Sequence, residues 1–208
     1  MAKSVKNLET FGRTHLSQNF YMREFLYSEV SQIEGIPNIP DDESLAIKAG
    51  RGLCENILEP IQKALGKISI RSAYRSPEVN RIGNEKNYNC ASNNYNRTRH
   101  IWDQLDDDGN YGATACIVVN SFVSYYEQTG DWPALAWWIH DHMPVYREIM
   151  FYPKLAAFNI NWYSGPVSEQ KIGSQIPNPV TGKKGILTKT GMANFVGDHS
   201  GAYVGWRN

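Results

Sequence analysis

Chemistry in this chain concentrates in residues 68–119, between two apolar segments. Ile68-Ser69-Ile70 alternates as a half-buried strand does, and Ala115-Cys116-Ile117-Val118-Val119 reads as a buried strand. Between them lies a polar loop, rich in Asn and Asp, whose one histidine is His100. Strands supply rigid ends and a loop supplies reach, so this arrangement suits a metal or a polar ligand. A loop histidine making ordinary hydrogen bonds is the bland reading of His100. Other residues invite weaker readings. Asp103, Asp106, Asp107 and Asp108 precede Gly109, but an EF-hand frame would start at Gln104 and end at Ala115, so a solvated acidic turn is expected. His140-Asp141-His142 has histidines two apart, which do not share a helix face. A helix C-terminus, where histidine meets the negative end of the dipole, is the better reading. Trp132, Trp137 and Trp138 could stack sugars, yet their helical spacing favours core packing.

The elements that must position these residues follow from period and punctuation. Ser17 is a candidate N-cap before a short helix over 21–30. Asp41 or Asp42 caps a helix reaching Leu65, with Leu45, Ala49, Leu53, Ile57 and Ile61 on one face. Pro60 kinks or restarts that helix, and Gly66 ends it. Pro77 opens a helix reaching about Gly83, and residues 84–112 are loop. Short helices are expected over 120–129 and from Asp131 on, and further strands over 148–152 and 157–162. This order predicts an α+β fold. Residues 1–15 read as an N-terminal arm. Residues 165–208 read as an extended Gly-rich tail, with a possible hairpin around 181–185. Its apolar residues, among them Ile186, Phe195 and Trp206, predict packing on the core or on a partner.

The balance of 21 basic and 21 acidic residues gives no pull towards nucleic acid or an anionic membrane. No apolar run is long enough to span a bilayer. The N-terminus lacks the apolar core of a signal peptide, so synthesis and folding in the cytoplasm are expected. Three cysteines without close pairing do not make a disulfide framework; Cys54 reads as a core residue.

Several segments resemble one family. Ser72-Ala73-Tyr74-Arg75-Ser76-Pro77-Glu78-Val79-Asn80 is similar to a signature segment of the zinc D-Ala-D-Ala carboxypeptidases and their Hedgehog-type relatives. His100 followed by Gly112-Ala113-Thr114-Ala115-Cys116 resembles their zinc-binding "SxHxxGxAxD" segment. Leu16-Ser17-Gln18-Asn19-Phe20 with Glu24-Phe25, and Leu58-Glu59-Pro60-Ile61, resemble two further motifs. The likeness covers about residues 16–163, and the peptidase-like domain is placed at 16–164. It implies a small antiparallel sheet flanked by helices. It also implies that His100 is a zinc ligand, that Arg75 holds a peptide's polar group, and that a second histidine stands near 158–163.

The chain departs from the pattern there. Cys116 replaces the aspartate, either as a thiolate ligand or as a plain buried thiol. No histidine lies in 158–163, where Asn159 or Tyr163 would take its place; His199 is a distant replacement. Two functions remain open. The first is a divergent peptidase-fold protein with a degenerate zinc site and no cofactor, a structural or binding component of a bacteriophage virion whose partners are other virion proteins. The second is a zinc-dependent peptidoglycan peptidase. Neither implies nucleic acid or membrane.

Overall fold

The computed structural model describes residues 4–207. It is an α+β fold built on a six-stranded sheet. The strands are β1 (Ile68–Ser72), β2 (Gly112–Val119), β3 (Glu148–Phe151), β4 (Phe158–Tyr163), β5 (Lys171–Ser174) and β6 (Gly185–Lys189), in the order β1-β2-β4-β3-β5-β6. The first four strands of that order pair antiparallel. β5 pairs parallel to β3, so the sheet is mixed rather than the small antiparallel one expected. The parallel pair arises because β5 returns to the sheet edge beside β3 and not beside its sequence neighbour β4.

The helices are α1 (Val5–Gly12), α2 (Glu29–Glu34), α3 (Glu43–Leu53), α4 (Glu59–Leu65), α5 (Pro77–Glu85), α6 (Asn93–Asn96), α7 (Val123–Thr129), α8 (Trp132–His142) and α9 (Val204–Arg207). Among the described residues no helix is long and apolar enough to cross a membrane.

Period two divides the sheet into two faces. Ala113, Ala115, Ile117, Ile149, Phe151, Phe158, Ile160 and Ile172 are all buried in one apolar core. Their alternates, Thr114, Cys116, Glu148, Met150, Asn159 and Asn161, face the other way and line a cavity. α3 crosses the apolar face closely enough that a Cβ on Gly52 would stand 2.3 Å from the Trp162 ring.

Asp42 caps α3 by accepting from the Leu45 amide at 2.9 Å. The expected break at Pro60 is absorbed upstream, where Cys54–Leu58 forms a π-helical turn and the Glu59 amide donates to the Cys54 carbonyl. Proline has no N–H to give Asn56, and the wider turn accommodates that loss without ending the helix. Gly66 stops α4 at φ +82°.

Ser17 does not cap a helix. Its hydroxyl donates to Glu59 Oε1 at 2.7 Å, and Asn19 donates through its amide (2.6 Å) and its side chain (2.7 Å) to the same carboxylate. Ser28 instead caps α2, accepting from the Ser31 amide. Two of the motif segments are thus one physical unit, an N-terminal turn seated on the start of α4. Burial pushes the Glu59 carboxyl up, and the donors from Asn19 and Ser17 outweigh it and hold it below the ordinary glutamate range. A depressed carboxylate stabilises the fold above its unfolded value, and that contribution is lost as pH falls through the folded one. Glu59→Gln is therefore expected to cost about 1 kcal/mol at neutral pH, with the difference from wild type closing in acid. Urea unfolding across pH checks this; a pH-independent difference would contradict it.

The ends of the chain are more structured than expected. Of the arm at 1–15, residues 1–3 lie outside the described residues, and α1 buries Phe11. The Gly-rich stretch from 165 contributes β5 and β6, which pair antiparallel across the loop 175–184; its hydrogen-bonded turn spans 178–183, slightly ahead of the hairpin expected around 181–185. Trp206 in α9 packs edge-on against Phe122 at 4.7 Å. Cys54, Trp132 and Trp138 are core residues, as their spacing predicts.

Candidate functional site

A cavity of about 1120 Å³ opens over the polar face of the sheet. β2, β3 and β4 form its floor, and the end of β1 with the segment after it (Arg71 to Arg75), α2 and α6 supply its walls. Arg75, His100 and Cys116 all line it. Cys116 and Asn159 are directly paired across β2 and β4, so the position where the resemblance implies a histidine holds Asn159. Asn159 donates to the Tyr152 hydroxyl at 3.0 Å. Tyr163 lies away from this cavity, bonded to Asp106 and covered by Arg147 at 4.4 Å. His199 is likewise elsewhere, against Asp141 at 2.6 Å.

Backbone and side-chain bonds fix His100 tightly. Its carbonyl accepts from the Arg75 amide at 2.8 Å, and the Arg99 carbonyl accepts from the Thr114 amide at 2.9 Å. Thr98 just before it has φ +61°, an uncommon conformation for a β-branched residue. Asn161 holds that turn, its Nδ2 lying 3.1 Å from the Thr98 carbonyl, 3.1 Å from the Ala113 carbonyl and 3.0 Å from Thr114 Oγ1. His100 Nδ1 sits 2.6 Å from the Ala73 carbonyl. A carbonyl only accepts, so the ring proton is on Nδ1 and Nε2 carries a lone pair. Burial, then the nearby Arg75 charge, pushes the His100 pKa down to about 3, and the ring is neutral at physiological pH.

Two buried acceptors at this cavity lack a protein partner: His100 Nε2 and Asn161 Oδ1. Buried acceptors are normally satisfied, so both call for a donor from a ligand or from solvent. The charge on the walls is cationic. Arg99 is paired with Glu148 at 3.4 Å, and Lys171 shares that carboxylate at 3.2 Å. Arg75 spends one donor on Asn80 Oδ1 at 3.1 Å, which leaves most of its fork free; among the described residues the Arg71 guanidinium has no hydrogen-bond or ion-pair partner. Glu29 at the exposed rim is the opposing charge. Tyr27, Tyr88, Tyr95 and Tyr152 add aromatic surface.

The donor set does not fit a catalytic zinc. His100 has the posture of a ligand, with one ring nitrogen anchored on a carbonyl. Cys116 is the second candidate, but burial outweighs the nearby Arg71 and Arg75 and pushes its thiol up to about 11, away from thiolate. The third position is Asn159. Among the described residues, the grouping of three possible metal ligands is His140, Asp141 and His199, outside this cavity.

Asp103 is buried rather than solvated, accepting from the Asp41 amide at 2.8 Å and the Tyr74 hydroxyl at 3.1 Å. Asp106 turns the loop by accepting from the Asp108 and Asn110 amides. His140 and His142 stand in the last turn of α8, and His142 Nδ1 lies 2.8 Å from the Trp138 carbonyl, as expected of a helix C-terminus. Arg71 and Asn161 went unnoticed in the sequence. Arg71 follows the alternating Ile68 and Ile70, which was a usable signal, whereas nothing local marks Asn161.

Neither a family model, nor a curated protein, nor a solved structure matches this chain.

Proposed function

We propose that the chain is a divergent member of the Hedgehog and D-Ala-D-Ala-peptidase type of fold that binds, without zinc hydrolysis, the carboxylate-bearing end of a peptide. The observation that carries this reading is the pair of unpartnered buried acceptors, His100 Nε2 and Asn161 Oδ1, in a cavity that also presents Arg71 and Arg75. A peptide C-terminus offers the complement, an amide N–H for the acceptors and a carboxylate for a guanidinium fork. The tyrosines suit small apolar side chains beside that end. On the resemblance we also propose a place in a phage virion, with neighbouring virion proteins as partners and peptidoglycan stem peptides as the source of such ends.

Calorimetric titration with N-acetyl-D-Ala-D-Ala and with its C-terminal amide tests the reading. The acid is expected to bind at least tenfold more tightly than the amide. Arg75→Met is expected to weaken the acid by roughly 10- to 100-fold, the worth of a charge-assisted bond. The peptide should be recovered intact after incubation with added zinc. Equal affinity for acid and amide, or no binding of either, overturns the carboxylate assignment. Hydrolysis that needs stoichiometric zinc and is lost in His100→Ala establishes the peptidase instead.

A further inference from the structure

A second pocket, of about 410 Å³, adjoins the first. Arg99 and Glu148 line both, so the two form one groove with those side chains at the divide. We propose that the second pocket holds another carboxylate of the same ligand, at Arg147. The ligand is then a peptide with an acidic residue upstream of its C-terminus. The inference rests on the peptide-binding reading above and extends it.

Space is the first argument. The 1120 Å³ cavity is about 13 Å across if taken as round, and an extended chain covers about 3.3–3.6 Å per residue, so roughly three or four residues fit. A C-terminal dipeptide leaves the rest of the groove to upstream residues.

Charge is the second. Arg147, just before β3, is half-buried and lines the second pocket. Among the described residues no carboxylate forms an ion pair with it. The two nearby counter-charges are engaged elsewhere. Glu148 is shared by Arg99 and Lys171, which leaves the divide between the pockets with a net positive charge. Asp106 accepts from the Tyr163 hydroxyl and from the Asp108 and Asn110 amides. Burial, then the Arg99 charge, pushes Arg147 below the ordinary arginine range, as expected of a cation short of compensation. The remaining acids of the pocket, Asp108 and Glu169, are exposed, where water and salt screen them.

Position is the third. Arg147 Nη1 donates to Thr98 Oγ1 at 3.3 Å, and the guanidinium lies over the Tyr163 ring at 4.4 Å. Both contacts hold the group without neutralising it, and they leave Nε and Nη2 for a carboxylate. The Thr98 turn serves both sites, since its carbonyl accepts from Asn161 on the floor of the first cavity.

The test is calorimetric titration of the full chain with N-acetyl-D-Ala-D-Ala and with longer acetylated peptides of the same C-terminus. These carry Glu or Gln at one, two or three positions before the dipeptide, with Gly elsewhere. At one spacing or more, the Glu peptide is expected to bind about fivefold or more tightly than its Gln twin. Arg147→Met should bring that ratio below about twofold, and Arg147→Lys, which keeps the charge, should retain part of it. The ratio should persist in Arg75→Met, where both twins bind more weakly. In wild type the Arg147 Nε–H NMR signal should move with the Glu peptide and not with the Gln twin, a readout that needs no folded Met variant. A ratio near one at every spacing, with the dipeptide still bound, overturns this inference alone. So does a ratio that survives Arg147→Met, or an Arg147 signal that ignores the Glu peptide. Failure of the dipeptide itself to bind overturns the reading of the first cavity, and this inference with it.

Discussion

Gly112→Ala is expected to destabilise the fold by about 3 kcal/mol or more and to abolish ligand binding at the cavity. A Cβ on Gly112 would stand 2.4 Å from the Thr98 carbonyl oxygen and 2.7 Å from that of Trp162. Both are backbone atoms, so no side chain can swing aside. Relief requires moving β2 away from either β4 or the 97–101 turn. That turn carries His100, and the Thr98 carbonyl is also one of the acceptors of Asn161. One methyl group therefore strains both the sheet and the support of the candidate site. Gly201→Ala is the matched control, since a Cβ there meets nothing within 4 Å, and it should change stability by no more than ~0.5 kcal/mol. Denaturant unfolding of the two variants beside wild type decides the matter. Equal midpoints for Gly112→Ala and wild type would show that β2 does not lie against the Thr98 turn.

The second large effect is acid lability through His100. Burial holds the folded ring neutral and lowers its pKa from 6.5 to about 3. The unfolded chain therefore takes up a proton that the folded chain refuses. Stability from this group is complete above the unfolded value and falls as pH drops from there towards the folded one. One proton corresponds to ~1.4 kcal/mol per pH unit, or roughly 3 kcal/mol between pH 7 and pH 4. His100→Gln keeps a donor for the Ala73 carbonyl but does not titrate. Subtracting its urea-derived stability from that of wild type at each pH cancels the other titrating groups. The difference should fall with decreasing pH by the amount stated. A flat difference down to pH 4 would mean that His100 is not a buried neutral ring, and would remove the acceptor on which the peptide-binding proposal stands.

The sequence by itself determined the local elements whose signals are strong and redundant. Alternation and β-branched residues marked β1, β3 and β4, and the apolar run Ala115–Val119 marked β2. The face of five residues spaced by four, with Asp42 before it and Gly66 after it, marked the helix from α3 to α4. It also placed Arg75 and Cys116 at the two ends of one loop and His100 within it, and these three do share a cavity. Such signals are legible because capping, propensity and period act within a few residues of one another.

What only the tertiary structure decided depends on which distant segments meet. Cys116 sits in a run with no alternation, so its orientation towards the cavity followed from the register with β1 and β4. Asn161 looks like any polar residue in a strand until the Thr98 turn comes down on it. The addition of β5 beside β3, the seating of Ser17 and Asn19 on Glu59, and the meeting of His199 with His140 and Asp141 each join segments tens of residues apart. Their partners are chosen by backbone hydrogen bonds at a sheet edge and by the satisfaction of half-buried charge. Those forces act on position in space, and no local pattern of residue types records them.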